Sequence, residues 1–246
     1  MATFVLLHGA WHGGWCWAET AGHLRARGPV VVTPTQTGLG ERRRLLSPDI
    51  TLSTFVEDLV QHLATEDLTD AILVGHSFGG NAISGAAERL PGRIAGLVYL
   101  DAQIVEGGET PISCAAPEAA AAREAAAQAH DGGLSLPPPS AADLGVLDPA
   151  RAAWLEARLD PHPWRTFVTP LPIQGPPGGD LPKVYVRAAS PAYRGLDWAL
   201  ERARAAAWRI EEIASGHDCM VAHPLATADL LEAEAEAARL RRPCPP

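Results

Sequence analysis

The chain has 246 residues, 47% of them hydrophobic and 20% charged, which fits one large domain with its own core and excludes a disordered chain. Its formal net charge is −9, and 19 of its 20 basic residues are arginine. The only basic run in the body of the chain, Arg42, Arg43 and Arg44, reads as a solvated loop, so nucleic acid is not an expected partner.

The first apolar run, residues 3–8, is far too short to cross a bilayer and lacks the flanks of a signal peptide. It reads as a strand, and the protein as cytoplasmic with no membrane partner. A helix is expected over 15–27 and a strand over 29–33. A second helix, capped by Thr51 or Ser53, runs to about Glu66 with Phe55, Leu59 and Leu63 on one face. Strands at 71–75 and 94–100 flank a helix over 78–90. Strands at 184–188 and 208–213 and a helix over 223–241 close the pattern. Most of these runs lack polar alternation, as strands covered on both faces do. Their alternation with helices predicts an α/β fold with a mainly parallel six-stranded sheet and right-handed crossovers.

Residues 103–182 break the rhythm. They hold 13 of the 22 prolines and Ala-rich helical runs at 115–129 and 149–159, with no strand pattern. They read as an inserted helical cap, leaving 1–102 and 183–246 as the core. The tail after Leu240 is expected to fray. Cys16, Cys114, Cys219 and Cys244 form no Cys-x-x-Cys pair, so reduced thiols are expected, with no disulfide framework, metal or cofactor.

Residues 75–79 read Gly-His-Ser-Phe-Gly, between a strand and a helix. This is the setting a nucleophilic serine needs: a sharp turn that presents Ser77, with a helix N-terminus behind it to favour developing negative charge. His8-Gly9-Ala10 ends the first strand, and the amides of Ala10 and Phe78 are the expected oxyanion donors. The base must come late in the chain. His217, in Ser-Gly-His-Asp after the last strand, suits that role better than His223, which precedes a proline. His76 reads as packing beneath the turn, and His12 as a residue of the pocket mouth or a surface loop. The loop after 184–188 carries no carboxylate. Asp101, at the end of the strand 94–100, is the candidate acid, with a purely structural carboxylate as the other reading. Asp197 and the absence of any acid are the remaining options. Trp11, Trp154, Trp164 and Phe167 are candidate walls of an apolar substrate pocket, although aromatic residues at such places are as often core.

The segments FVLLHGAWHGGWCW (4–17), ILVGHSFGG (72–80), LVYLDA (97–102), PHPWRTFVTPL (161–171) and SGHDCMVAHP (215–224) resemble bacterial α/β-hydrolase-fold esterases related to plant methylesterases and hydroxynitrile lyases. The resemblance spans nearly the whole chain and implies a carboxylic-ester hydrolase without a cofactor, with Ser77 as nucleophile and His217 as base. The lyase branch carries Thr in place of Gly9 and Lys in place of Asp218. An anionic Asp218 would not stabilise a departing cyanide, which disfavours lyase activity.

The expected activity is hydrolysis of an ester or lactone of a small or medium apolar molecule. One rival is a non-hydrolytic tailoring enzyme on the same fold, performing cyclisation, dehydration or C–C cleavage with His217 as acid/base. Another is a ligand-binding module in which Ser77 and His217 stand apart. The oligomeric state, homodimer included, is not readable from the sequence.

Overall fold

The computed structural model describes residues 2–240; the tail read as frayed lies outside them. In chain order the first half runs β1 (Thr3–Leu7), α1 (Ala18–Arg25), β2 (Val30–Val32), α2 (Leu52–Thr65), β3 (Ala71–His76), α3 (Gly79–Arg89) and β4 (Ile94–Leu100). The inserted stretch contributes α4 (Pro117–Asp131), β5 (Ser135–Leu136), α5 (Pro149–Glu156), β6 (His162–Pro163) and α6 (Arg165–Val168). The chain ends with β7 (Lys183–Ala188), α7 (Asp197–Ala205), β8 (Arg209–Ile213), α8 (Cys219–Ala222) and α9 (Pro224–Leu240).

Six strands form one parallel sheet in the order β2-β1-β3-β4-β7-β8. Side chains alternate across it. Val5, Leu7, Leu73, Leu97, Tyr99 and Tyr185 pack with α2, α3 and α7, through Phe55, Ile83 and Leu200 among others. Phe4, Leu6, Ile72, Val74, Val98, Leu100 and Val186 pack with α1 and α9, through Leu24 and Leu231. Because both faces are covered, apolar residues fill consecutive positions and the sequence shows no polar alternation. The chain turns from β1 outward to β2 and then crosses back to β3, so a crevice opens at the carboxyl ends of β1 and β3. Thr51 caps α2, its amide donating to Thr54 Oγ1 at 3.1 Å.

The inserted stretch does not form one lid. Its first part stays on the site side, where Glu109 forms a two-pronged pair with Arg202 of α7 at 2.5 and 2.8 Å. The hydrogen bonds from Arg202 hold the Glu109 carboxyl at a pKa of about 2. Residues 141–155 cross to the opposite face of the sheet, where Ala141, Leu144, Val146 and Leu155 join the cluster of α1 and α9. β5 and β6 form a two-residue antiparallel pair, Ser135 opposite Pro163 and Leu136 opposite His162, which the strand patterning did not reveal. A pair this short carries too few residues to show a period.

Candidate active site

Ser77 sits between β3 and α3 with φ at +50°. A non-glycine residue holds that conformation only when its surroundings over-determine it. Its amide donates to Leu100 O at 3.1 Å, and its carbonyl accepts from Gln103 N at 2.9 Å, so the turn is stapled to the end of β4. Gly75 makes the turn possible, since a Cβ there would lie 2.8 Å from Gly79 O. Gly9 is equally constrained: a Cβ would meet Ser77 Cβ at 2.8 Å and His76 Nδ1 at 2.9 Å. The threonine that the lyase branch carries there would press on the serine.

The structure brings Ser77, His217 and Asp101 together. Ser77 Oγ donates to His217 Nε2 at 2.9 Å, and His217 Nδ1–H donates to Asp101 Oδ2 at 2.7 Å. Asp101 leaves β4 with φ at +42°. Its amide donates to Val186 O at 2.6 Å, and its Oδ1 accepts from Ala188 N at 3.3 Å. The end of β7 supplies no carboxylate here; it supplies the backbone groups that aim one arriving from β4. Asp197 is turned to Arg194 at 3.2 Å, and His223 to Ser215 Oγ at 2.8 Å. The His217 ring stacks on Tyr193 at 4.3 Å between centroids and 24°, a contact the sequence did not signal.

The amides of Ala10 and Phe78 donate to no group among the described residues, and both residues line the cleft over Ser77. Trp11, next to Ala10, has φ at +66° and is held at three points. Its amide donates to His162 Nδ1 at 3.2 Å, its indole N–H to Leu136 O at 3.1 Å, and its carbonyl accepts from Asp160 N at 2.9 Å. All three partners belong to the inserted stretch. His162 is ringed by Trp11, Phe55, Phe78 and Phe167, and its Nε2 faces Thr166 Oγ1 at 2.9 Å. Burial pushes its pKa well below 6.5, so it stays neutral and its Nδ1 remains an acceptor.

The cleft encloses about 380 Å³, open solvent at its mouth included. Trp11 and Phe167 line it, with Phe78, Leu196 and Trp198. Trp164 does not. It stacks behind Phe167 at 5.7 Å and is core. Trp154 also departs from expectation. α5 carries it to the far face of the sheet, where it meets Trp15 edge-on at 5.3 Å with Arg158 over its ring at 4.6 Å.

His12 is not at the pocket mouth. It is buried, donating from Nδ1 to Ala10 O at 2.6 Å and from Nε2 to Asp218 Oδ2 at 2.8 Å. Burial alone would lower its pKa, but the Asp218 carboxylate and the two hydrogen bonds raise it, and Asp218 is lowered in turn. The pair is therefore an imidazolium–carboxylate clamp between the loop of Ala10 and the loop of His217. His76 lies beneath, donating from Nε2 to His217 O at 3.1 Å. His76, His217 and Asp218 bring possible ligand atoms within 4.8 Å of one another. Both nitrogens of His217 and Oδ2 of Asp218 are engaged, and only His76 Nδ1 and Asp218 Oδ1 lack a hydrogen-bond partner, fewer free ligand atoms than a protein zinc site takes.

Residues 4–230 match the family model described as the alpha/beta hydrolase family. The chain belongs to that family. It is 37% identical over 247 residues to a carbendazim hydrolyzing esterase of Nocardioides sp. (strain SG-4G), covering 95% of this chain and 99% of that one. It is 35% identical to methyl jasmonate esterase 1 of Vitis vinifera over 40% of this chain and 38% of that one. Among solved structures, an extracellular alpha/beta-hydrolase from a Paenibacillus species, described as sharing homology with tobacco salicylic acid binding protein 2, superposes with a TM-score of 0.81 at 26% identity, covering 95% and 99% of the two chains. This α/β hydrolase is thus of the esterase type. Among its described residues no helix is long and apolar enough to cross a membrane.

Proposed function

We propose that this α/β hydrolase cleaves carboxylic esters or lactones of small to medium, largely apolar molecules by a Ser-His-Asp mechanism. The observation that carries the reading is the unbroken relay from Ser77 Oγ through His217 to Asp101, opening into an apolar cleft. His217 Nε2 takes the hydroxyl proton as Ser77 Oγ attacks the carbonyl carbon, and Asp101 stabilises the imidazolium formed. The amides of Ala10 and Phe78 receive the oxyanion. Collapse expels the alcohol, which takes the proton from His217. Water, deprotonated by His217, then attacks the acyl-serine and releases the acid.

A histidine without an acid partner would suit the non-hydrolytic reading better; the contact of His217 with Asp101 at 2.7 Å favours hydrolysis. The relative that hydrolyses carbendazim supports a small substrate. A fluorophosphonate probe should add its mass to the peptide containing Ser77 and to no other, and Ser77→Ala should abolish both labelling and ester turnover. Retention of turnover in that variant would overturn the assignment.

A further inference from the structure

Within the apolar cleft one charged side chain has no partner. Arg123 of α4 faces the cleft over Ser77 and also the outer groove beside His217 and Tyr193, so it stands where the two meet. It is half-buried and makes no hydrogen bond, ion pair or ring contact among the described residues. The sequence explains this. A helical arginine finds its nearest partners three and four positions away, and those positions are Ala119, Ala120, Ala126 and Ala127. Of the other charges of the groove, Arg194 pairs with Asp197 at 3.2 Å, and Asp143, exposed to solvent, accepts from the Ser140 hydroxyl at 2.6 Å and forms no ion pair with Arg123. Of the neutral polar side chains on the cleft, Ser77 is turned to His217 at 2.9 Å, Gln103 accepts from Asn81 at 2.8 Å, and Tyr193 stacks on the His217 ring.

A partly desolvated guanidinium with no anion is an unfavourable arrangement that a bound carboxylate relieves, and its planar fork suits two-pronged recognition. We propose that Arg123 is a specificity-determining residue, and that the preferred esters carry a carboxylate or a comparable anionic group away from the scissile bond. This rests on the esterase reading of Ser77. The chain's net charge of −9 disfavours anions at long range, so a preference for an anionic ester would report the local cation.

The test compares two matched ester pairs. One differs on the alcohol side, para-acetoxybenzoate against para-acetoxybenzamide. The other differs on the acyl side, the mono-para-nitrophenyl ester of adipic acid against that of its monoamide. Wild type should favour the anionic member of at least one pair by about tenfold or more in kcat/KM. The ratio should fall to near unity in Arg123→Met, survive in part in Arg123→Lys and invert in Arg123→Glu. A wild-type ratio near unity in both pairs, or one that Arg123→Met leaves in place, overturns the proposal. Calorimetric binding of para-acetamidobenzoate and para-acetamidobenzamide to Ser77→Ala, with and without Arg123→Met, separates the two readings. Charge-selective binding by Ser77→Ala that Arg123→Met removes, together with a wild type that turns over no ester, would sink the esterase reading alone. Turnover without charge selectivity in either measurement would sink only the role of Arg123.

Discussion

Two aspartate–histidine pairs lie side by side in this molecule, built from consecutive residues of one loop, and only one of them is arranged for chemistry. His217 donates to Asp101 at 2.7 Å, and Asp218 accepts from His12 at 2.8 Å. All four residues are buried. The difference lies at the second nitrogen of each ring. His12 spends it on the carbonyl of Ala10 at 2.6 Å, a group with no proton to yield. His217 turns it to the hydroxyl of Ser77 at 2.9 Å. A buried carboxylate–imidazole contact is therefore no sign of catalysis by itself. The atom on the far side of the ring decides whether the pair moves protons or holds two loops together.

Mutations that break one pair and spare the other sharpen this contrast. Ser77→Ala should lower kcat on an aryl ester by on the order of 10⁴–10⁶-fold without shifting the urea midpoint. Asp101→Asn should cost roughly 10³–10⁴-fold in kcat, because the amide cannot hold His217 in the same proton arrangement. Asp218→Asn strands the buried His12 cation, so the expected loss is in stability, about 3–5 kcal/mol by urea unfolding, with a smaller fall in kcat than Asp101→Asn. If Asp218→Asn stayed folded and lost activity as deeply as Asp101→Asn, the distinction between the two pairs would fail.

Acid sharpens the contrast further. Burial holds His8 near a pKa of about 3 and His76 and His162 well below 6.5, while His12 is raised. On unfolding below pH 6.5 the first three take up protons they lack in the fold, so their contribution is complete above 6.5 and is lost as pH falls toward their folded values. His12 acts oppositely, its contribution being complete below 6.5 and lost as pH rises through its folded value. Below pH 6.5 His12 is protonated in the folded and unfolded chain alike, so the other three set the slope, and stability should fall between pH 6.5 and 5 by up to about 1.4 kcal/mol per pH unit for each of them. Urea midpoints that hold steady or rise on acidification would contradict this. The smallest effect on turnover belongs to Trp154→Ala, whose kcat/KM should stay within about twofold of wild type because the ring lies on the far face of the sheet.

What could be read from the sequence follows the range of the forces involved. Phe4 through Leu7 and Ile72 through Val74 announce strands because burial on both faces leaves a continuous apolar run. The turn at Ser77 is legible because the strand, the glycines and the helix all lie within a few residues of one another. Asp101 was only a candidate, since the backbone of Val186 and Ala188 that orients it belongs to a different strand. Hydrophobicity marked Trp154 and Phe167 alike as buried; it cannot say against which face. The clamp of His12 and the perch of His162 were not legible at all, because their partners stand 206 and 151 positions away.

The threefold grip on Trp11 has a practical corollary for engineering. Positions 136, 160 and 162 hold a residue that precedes them by 125 to 151 positions in the chain. Grafting a foreign segment between β4 and β7 to change substrate range would thus release the oxyanion loop unless those anchors travelled with it, and a chimera could lose rate while its serine and histidine stayed untouched.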